Sequence, residues 1–241
     1  KTLGRDTFQF MADLWENNNK GWFDENRKRY EDSVRKPLKA VAAALSDPIV
    51  SIVPEFDGKP KISRINNDIR FTPNKPPYKE HMWISYGAKG SIAELFTAIG
   101  RNGWAVGCAV SSNKRDPLDG WRKNLISNVE KWREYSSVLP KEEKPEFYYG
   151  NIYKKPLFPE IPEDIKDLVQ SKGVWIVQKP CLDFTTTPEQ ELFRGVCILL
   201  PIFILMAVPP FGVKERLSEL GNKISPPDKG VGKMWKVWKS D

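Results

Sequence analysis

The sequence predicts an α+β fold: one domain over residues 1–241, with a central, mostly antiparallel sheet and N-terminal and C-terminal helices packed on it. Three observations predict it. Apolar residues recur at intervals of three and four before residue 46, strand-like runs around a short turn fill the middle, and helical spacing returns after Pro188. The composition, with 40% hydrophobic and 29% charged residues, is that of a chain that can fill a core, which sets disordered and low-complexity classes aside.

Taken in order, Thr7 caps a first helix whose Phe8, Met11, Ala12 and Trp15 share a face. The run 17–21, Asn-Asn-Asn-Lys-Gly, stops it, because Asn and Gly tolerate the backbone of a helix end. A second helix starts near Asp24 and carries Tyr30, Val34, Leu38, Val41 and Leu45 as its apolar stripe, with Pro37 kinking or splitting it. Residues 46–63 read as loop and edge structure. Residues 81–86 suit a strand, and 94–99 and 104–110 flank the turn 100–103, a hairpin with Asn102-Gly103 at its centre.

Asp116 or Asp119 then caps a helix reaching about Tyr135, with Trp121, Leu125, Val129 and Trp132 on one face. Residues 147–149, 152–153 and 174–177 are short strands, and 162–169 a short helix. Pro188 opens the last long helix. The uncharged run 195–212 is interrupted by Pro201, Pro209 and Pro210 and falls short of the roughly 20 residues a membrane span needs. It reads as a deeply buried element, so no membrane span is expected. From about 222 follows a Lys/Trp-rich tail, whose Trp235 and Trp238 are expected to dock while the lysines face water.

Cys108, Cys181 and Cys197 are too few for a disulfide framework and read as buried thiols, which fits a cytoplasmic, reducing setting. The charged start, residues 1–6, predicts no secretory leader. His81 is the one histidine in the sequence, and no Cys-x-x-Cys accompanies it, so no metal and no cofactor are expected. His81 itself reads as a satisfied structural histidine. Neither glycine-rich phosphate-binding motif occurs, nor does a nucleophile elbow.

The densest chemistry lies between Lys59 and His81, where Lys59, Lys61, Arg64, Arg70, Lys75 and Lys79 face only Asp68 and Glu80. An extended backbone at 66–70 puts Asn66, Asp68 and Arg70 on one face, so Asp68 can hold the Arg70 guanidinium in one orientation. A fixed Arg, mobile Lys heads and the Tyr78 phenol suit a phosphate- or carboxylate-bearing ligand. The competing readings are an Arg–Asp pair that organises a loop, and a nucleic-acid groove.

These residues, with the motifs at 5–8, 17–23 and 26–31, resemble the domain-of-unknown-function family numbered 2461. Its hallmark is Arg-x-x-Arg-Asp-x-Arg-Phe, then Asp or Asn followed by Lys-x-x-Tyr. Arg64, Asp68, Arg70, Phe71, Asn74, Lys75 and Tyr78 match it, while Asn67 replaces the second Arg. The match covers residues 5–45 and 62–86. The resemblance implies a single α+β domain, no known cofactor and no established activity.

The leading expectation is an uncharacterised anion-binding protein using Arg64, Asp68, Arg70, Lys75, Tyr78 and Lys79, with any reaction left open. A nucleic-acid module using the same patch and the tail is the first alternative, which the net charge of +7 permits. An interaction domain whose hallmark only stabilises the fold is the second.

Overall fold

The computed structural model describes residues 2–53, 56, 59–70, 72, 74–87, 92–112, 116–178 and 184–239. Helix α1 (Arg5–Glu16) starts before the expected cap. Gly4 holds the cap position, while Thr7 accepts the Gly4 N–H and donates to the Ser33 carbonyl at 2.6 Å. Asn19 caps α2 (Lys20–Glu25) by accepting the Trp22 N–H at 3.0 Å, so the second helix precedes Asp24. Asp24 pairs instead with Lys20 and Arg27.

From Arg27 the chain is helical through α3 (Arg27–Tyr30), a π-helical turn (Glu31–Arg35) and α4 (Lys36–Ile52). The stripe Tyr30, Val34, Leu38, Val41 and Leu45 is buried as expected. The disturbance expected at Pro37 falls just ahead of it: the turn before it is π-helical, and the Ser33 carbonyl, which Pro37 has no N–H to reach, accepts from the Thr7 hydroxyl. Residues 46–52, expected as loop, continue α4 through Pro48. Ile49 and Ile52 extend the apolar stripe into the core, and that burial outweighs one lost hydrogen bond.

Among the described residues six strands, numbered along the chain, form one antiparallel sheet. Its order is β1 (Lys61–Ile62), β2 (His81–Gly87), β3 (Ala93–Gly100), β4 (Gly103–Ser111), β6 (Gly173–Val177) and β5 (Glu146–Tyr149). The fold is α+β, as the sequence predicts. In the β3–β4 hairpin Gly100 pairs with Gly103, so Arg101 and Asn102 make the turn. Gly103 takes the positive φ, 114°, and Asn102 does not, which moves Asn-Gly off the turn's centre. Register puts Met82 and Ile84, Leu95 and Ile99, and Val106 and Cys108 on one buried face, against which α1, α4 and the long helix α8 (Pro188–Ala207) pack.

The helix expected over 116–135 is two, α5 (Asp116–Ser127) and α6 (Val129–Val138), which meet at Asn128. The Asp116 side chain lies outside what is described; Asp119 sits in the first turn and pairs with Arg122 at 2.9 Å. A 3-10 turn at Glu163–Ile165 leads into α7 (Lys166–Gln170). Ile152 makes only an isolated bridge to Ser171.

Helix α8, capped by Thr187 with Gln190, unites the start at Pro188 with most of the uncharged run. It is long and apolar enough to cross a membrane, yet most of its apolar window is buried within the fold. Its neighbours are β3, β4, α5, α9 (Val213–Glu219) and α10 (Lys229–Lys239). Pro201 has no N–H to give the Cys197 carbonyl, and Trp235 of α10 donates its indole N–H there at 2.8 Å. Pro209 likewise leaves the Leu205 carbonyl, which accepts from the Asn124 side chain at 2.8 Å. The tail is thus a docked helix. Trp235 and Trp238 are buried, so they are not available to stack on bases, and that half of the nucleic-acid alternative falls.

Cys108 and Cys197 are free and buried, while Cys181 lies outside the described residues. His81 is a correction. It stands exposed at the start of β2, its ring 5.8 Å from that of Trp83.

Arg29 joins the helices near the N-terminus by pairing with Asp6 and Asp13, each at 2.6 Å. Hydrogen bonds from Arg29 and Ser33 lower the Asp6 carboxyl, and those from Gln9 and Arg29 lower Asp13. Carboxyls depressed in the folded state add stability above the ordinary carboxylate range, and that stability is lost as pH falls through the lowered values. An Asp6→Asn, Asp13→Asn double variant is therefore expected to lower the urea midpoint at about pH 7 but hardly at about pH 2. Equal losses at both pH values would refute the ionic origin.

Candidate functional site

The stretch carrying the hallmark is a loop closed at its base by its own backbone. Asn66 bridges Tyr78, the Asn67 N–H donates to the Pro77 carbonyl, and the Lys79 N–H donates to the Ile65 carbonyl. Side chains reinforce that closure. Asn67, standing in the second-Arg position, donates to the Pro76 and Tyr78 carbonyls at 2.8 and 2.9 Å. Asn18 donates to the Tyr78 carbonyl and accepts the Tyr78 N–H, both at 3.0 Å, as a neighbouring strand would. The asparagine run at 17–19 thus links α1 and α2 to the loop, a role the sequence reading did not assign to Asn18.

The six expected ligand residues do not gather round one point. Asp68 accepts from Arg70 Nε at 3.0 Å and Nη2 at 2.6 Å, a two-pronged pair, but on the exposed surface of the loop. Lys75 is exposed as well. Phe71 lies outside the described residues. Tyr78 is buried, its ring stacked on Phe23 with centroids 4.1 Å apart, and burial raises its phenol above the ordinary range. Lys79, expected as a mobile head, donates its ammonium to the carbonyls of Arg64 and Asn66 at 2.5 and 2.6 Å. Burial, then the charges of Arg64 and Lys75, lower the Lys79 ammonium.

Arg64 occupies a different place. It lines a cleft of about 300 Å³ between the helical stretch and the edge of the sheet. The sheet side is Ile62, Ser63, Arg64, Ile65, Asn66 and Met82; the helical side is Phe23, Arg27, Tyr30, Glu31, Arg35 and Lys39. Packing of α4 on β1 and β2 brings the two sides together.

Four cations therefore meet one carboxylate, over an apolar floor that includes two aromatic rings. Glu31 accepts from Arg35 at 2.9 Å, which raises the guanidinium, and Arg27 pairs with Asp24 at 2.5 Å. Among the described residues no carboxylate pairs with Lys39 or Arg64. Tyr78 reaches this cleft indirectly, as the layer behind Phe23, whose ring also lies 5.2 Å from the Arg27 guanidinium. Asp68 is lowered by its bonds to Arg70 first, with Arg64 and Lys75 adding to the effect.

Arg35 and Lys39 were not among the expected residues. Their signal was present: 27, 31, 35 and 39 recur every four residues, beside the apolar stripe that the core claims. What hid it is that three turns of charged helix read equally well as a solvated face. Among the described residues no three His, Cys, Asp or Glu side chains gather as metal ligands.

A family model described as a conserved hypothetical protein (DUF2461) matches residues 6–191, a span that holds both sides of the cleft and the closed loop. No curated protein and no solved structure matches the chain.

Proposed function

Because the chain belongs to the DUF2461 family of conserved hypothetical proteins, whose description assigns no activity, we propose from its own geometry that it binds a small phosphate- or carboxylate-bearing ligand in this cleft. The observation that carries the reading is the pair of cations, Lys39 and Arg64, that line it, one from each side, with no carboxylate paired to either among the described residues. Arg64 supplies a planar fork and Lys39 a point charge, while Phe23 and Tyr30 take the ligand's apolar part. Lys79 and Tyr78 act from behind, fixing the Arg64 backbone and the Phe23 ring. Lys75, exposed on the same loop, adds positive charge that attracts anions, while the Asp68–Arg70 pair is neutral overall and steadies the loop. The buried free thiols of Cys108 and Cys197 support a cytoplasmic setting.

One charge-assisted contact contributes about 1.5–3 kcal/mol, or roughly 10–100-fold in affinity. Arg64→Ala is therefore expected to weaken binding by that factor in a calorimetric screen of phosphate and carboxylate compounds, with little change in melting temperature. No response from any compound, or equal binding by the variant, would overturn the reading.

The hydrogen bonds of Asn18, Asn67 and Lys79 to the loop backbone favour a second reading, in which the hallmark serves mainly to close the loop. In that case Arg64→Ala lowers the melting temperature and leaves calorimetry silent for wild type and variant alike.

A further inference from the structure

We infer that the cleft takes a hydroxylated ligand bearing two anionic groups, and that the π turn is what aligns the cations that read them; this rests on the anion-site reading above. Arg27, Glu31, Arg35 and Lys39 all line the cleft at intervals of four residues. At 3.6 residues per turn, residues four apart drift by roughly 40° per step, so an unbroken α-helix would carry Lys39 about 120° round from Arg27. The turn Glu31–Arg35, between the second and third members, is π-helical. Its wider i→i+5 turn winds each residue through a smaller angle and reduces that drift. The four side chains can then share one wall of the cleft.

Along the axis an α-helical rise of roughly 1.5 Å per residue, shortened in the wider π turn, places Arg27 and Arg35 at most about 12 Å apart at the backbone and Lys39 about 6 Å further. Glu31 stands between the first two cations, its carboxylate held by Arg35 at 2.9 Å. The wall thus reads cation, acceptor, cation, cation, its first member shared with Asp24, and Arg64 lines the same cleft from the sheet side. A single anionic group engages one end of this series. Two groups on a hydroxylated spacer engage both ends and leave a hydroxyl to donate to Glu31. Two phosphates joined directly present no hydroxyl to Glu31 and reach only neighbouring members of the series.

The test is titration calorimetry at fixed ionic strength with inorganic phosphate, pyrophosphate, a hexose 6-phosphate and a hexose 1,6-bisphosphate. The expected result is at least about tenfold tighter binding of the bisphosphate than of the monophosphate or pyrophosphate, the yield of one added charge-assisted contact. Lys39→Gln should abolish that ratio while the monophosphate still binds. Lys28→Gln, on the same helix but outside the cleft and paired with Asp32, should preserve it. Equal affinities for the mono- and bisphosphate, or an equal fall of the ratio in Lys28→Gln, would overturn the two-anion inference while leaving anion binding intact. Silence from all four probes would overturn both.

Discussion

Replacing Arg122 with methionine should lower the unfolding free energy by about 3–5 kcal/mol, since it leaves two buried carbonyls unpartnered at about 1–3 kcal/mol each and breaks a partly buried pair with Asp119. Arg122 is fully buried on α5. Its Nε donates to the Val169 carbonyl at 2.8 Å, Nη2 to the Ser171 carbonyl at 2.9 Å, and Nη1 to Asp119 at 2.9 Å. The two carbonyls end α7 and lead into β6, so one guanidinium ties α5 to the end of α7 and the start of β6. Removing it strands two buried carbonyls, which lose a partner they cannot easily replace with water, whereas the partly exposed Asp119 carboxylate can turn to solvent. At roughly 2–4 °C per kcal/mol for a chain of this size, the melting temperature should fall by about 6–20 °C. Arg122→Lys should recover only part of the loss, because an ammonium cannot span three acceptors arranged for a fork. A loss below about 1 kcal/mol in denaturant titration would show that solvent satisfies these groups and would refute the account.

Trp235 should be nearly as costly. Trp235→Ala empties a large buried site, for which about 3–5 kcal/mol is the usual loss, and Trp235→Phe keeps much of the packing but strands the Cys197 carbonyl at about 1–3 kcal/mol. The argument that the indole substitutes for a missing proline N–H has a sharper consequence. In a Pro201→Ala background residue 201 can donate to Cys197 itself, so Trp235→Phe should cost measurably less there than in the wild type. Equal costs in the two backgrounds, read from a double-mutant cycle, would separate Trp235 from the proline.

The parts of the fold legible in advance were those that a short window encodes. The β3–β4 hairpin, β2 and the stripe Tyr30 to Leu45 follow from side-chain periods of two and 3.6, which are properties of the backbone itself. Boundaries were less legible. Thr7 yielded the cap to Gly4, and Pro48 did not end α4, because contacts with Ser33 in one case and core burial in the other outweighed local preference. The cluster at 64–79 stands out in the sequence, but charge density alone does not show direction. Lys79 turns inward to two carbonyls, Tyr78 stacks on Phe23, and Arg70 stays with Asp68 on the surface.

The sequence alone determined an α+β chain with a helical start, an antiparallel middle and a tail able to dock, since hydrophobic period, turn residues and charge balance are written in consecutive positions. Tertiary structure decided which cations meet. Arg64 shares a cleft with Arg35 and Lys39 only because α4 packs on β1 and β2, and that meeting of distant segments depends on the whole core rather than on any stretch of neighbouring residues.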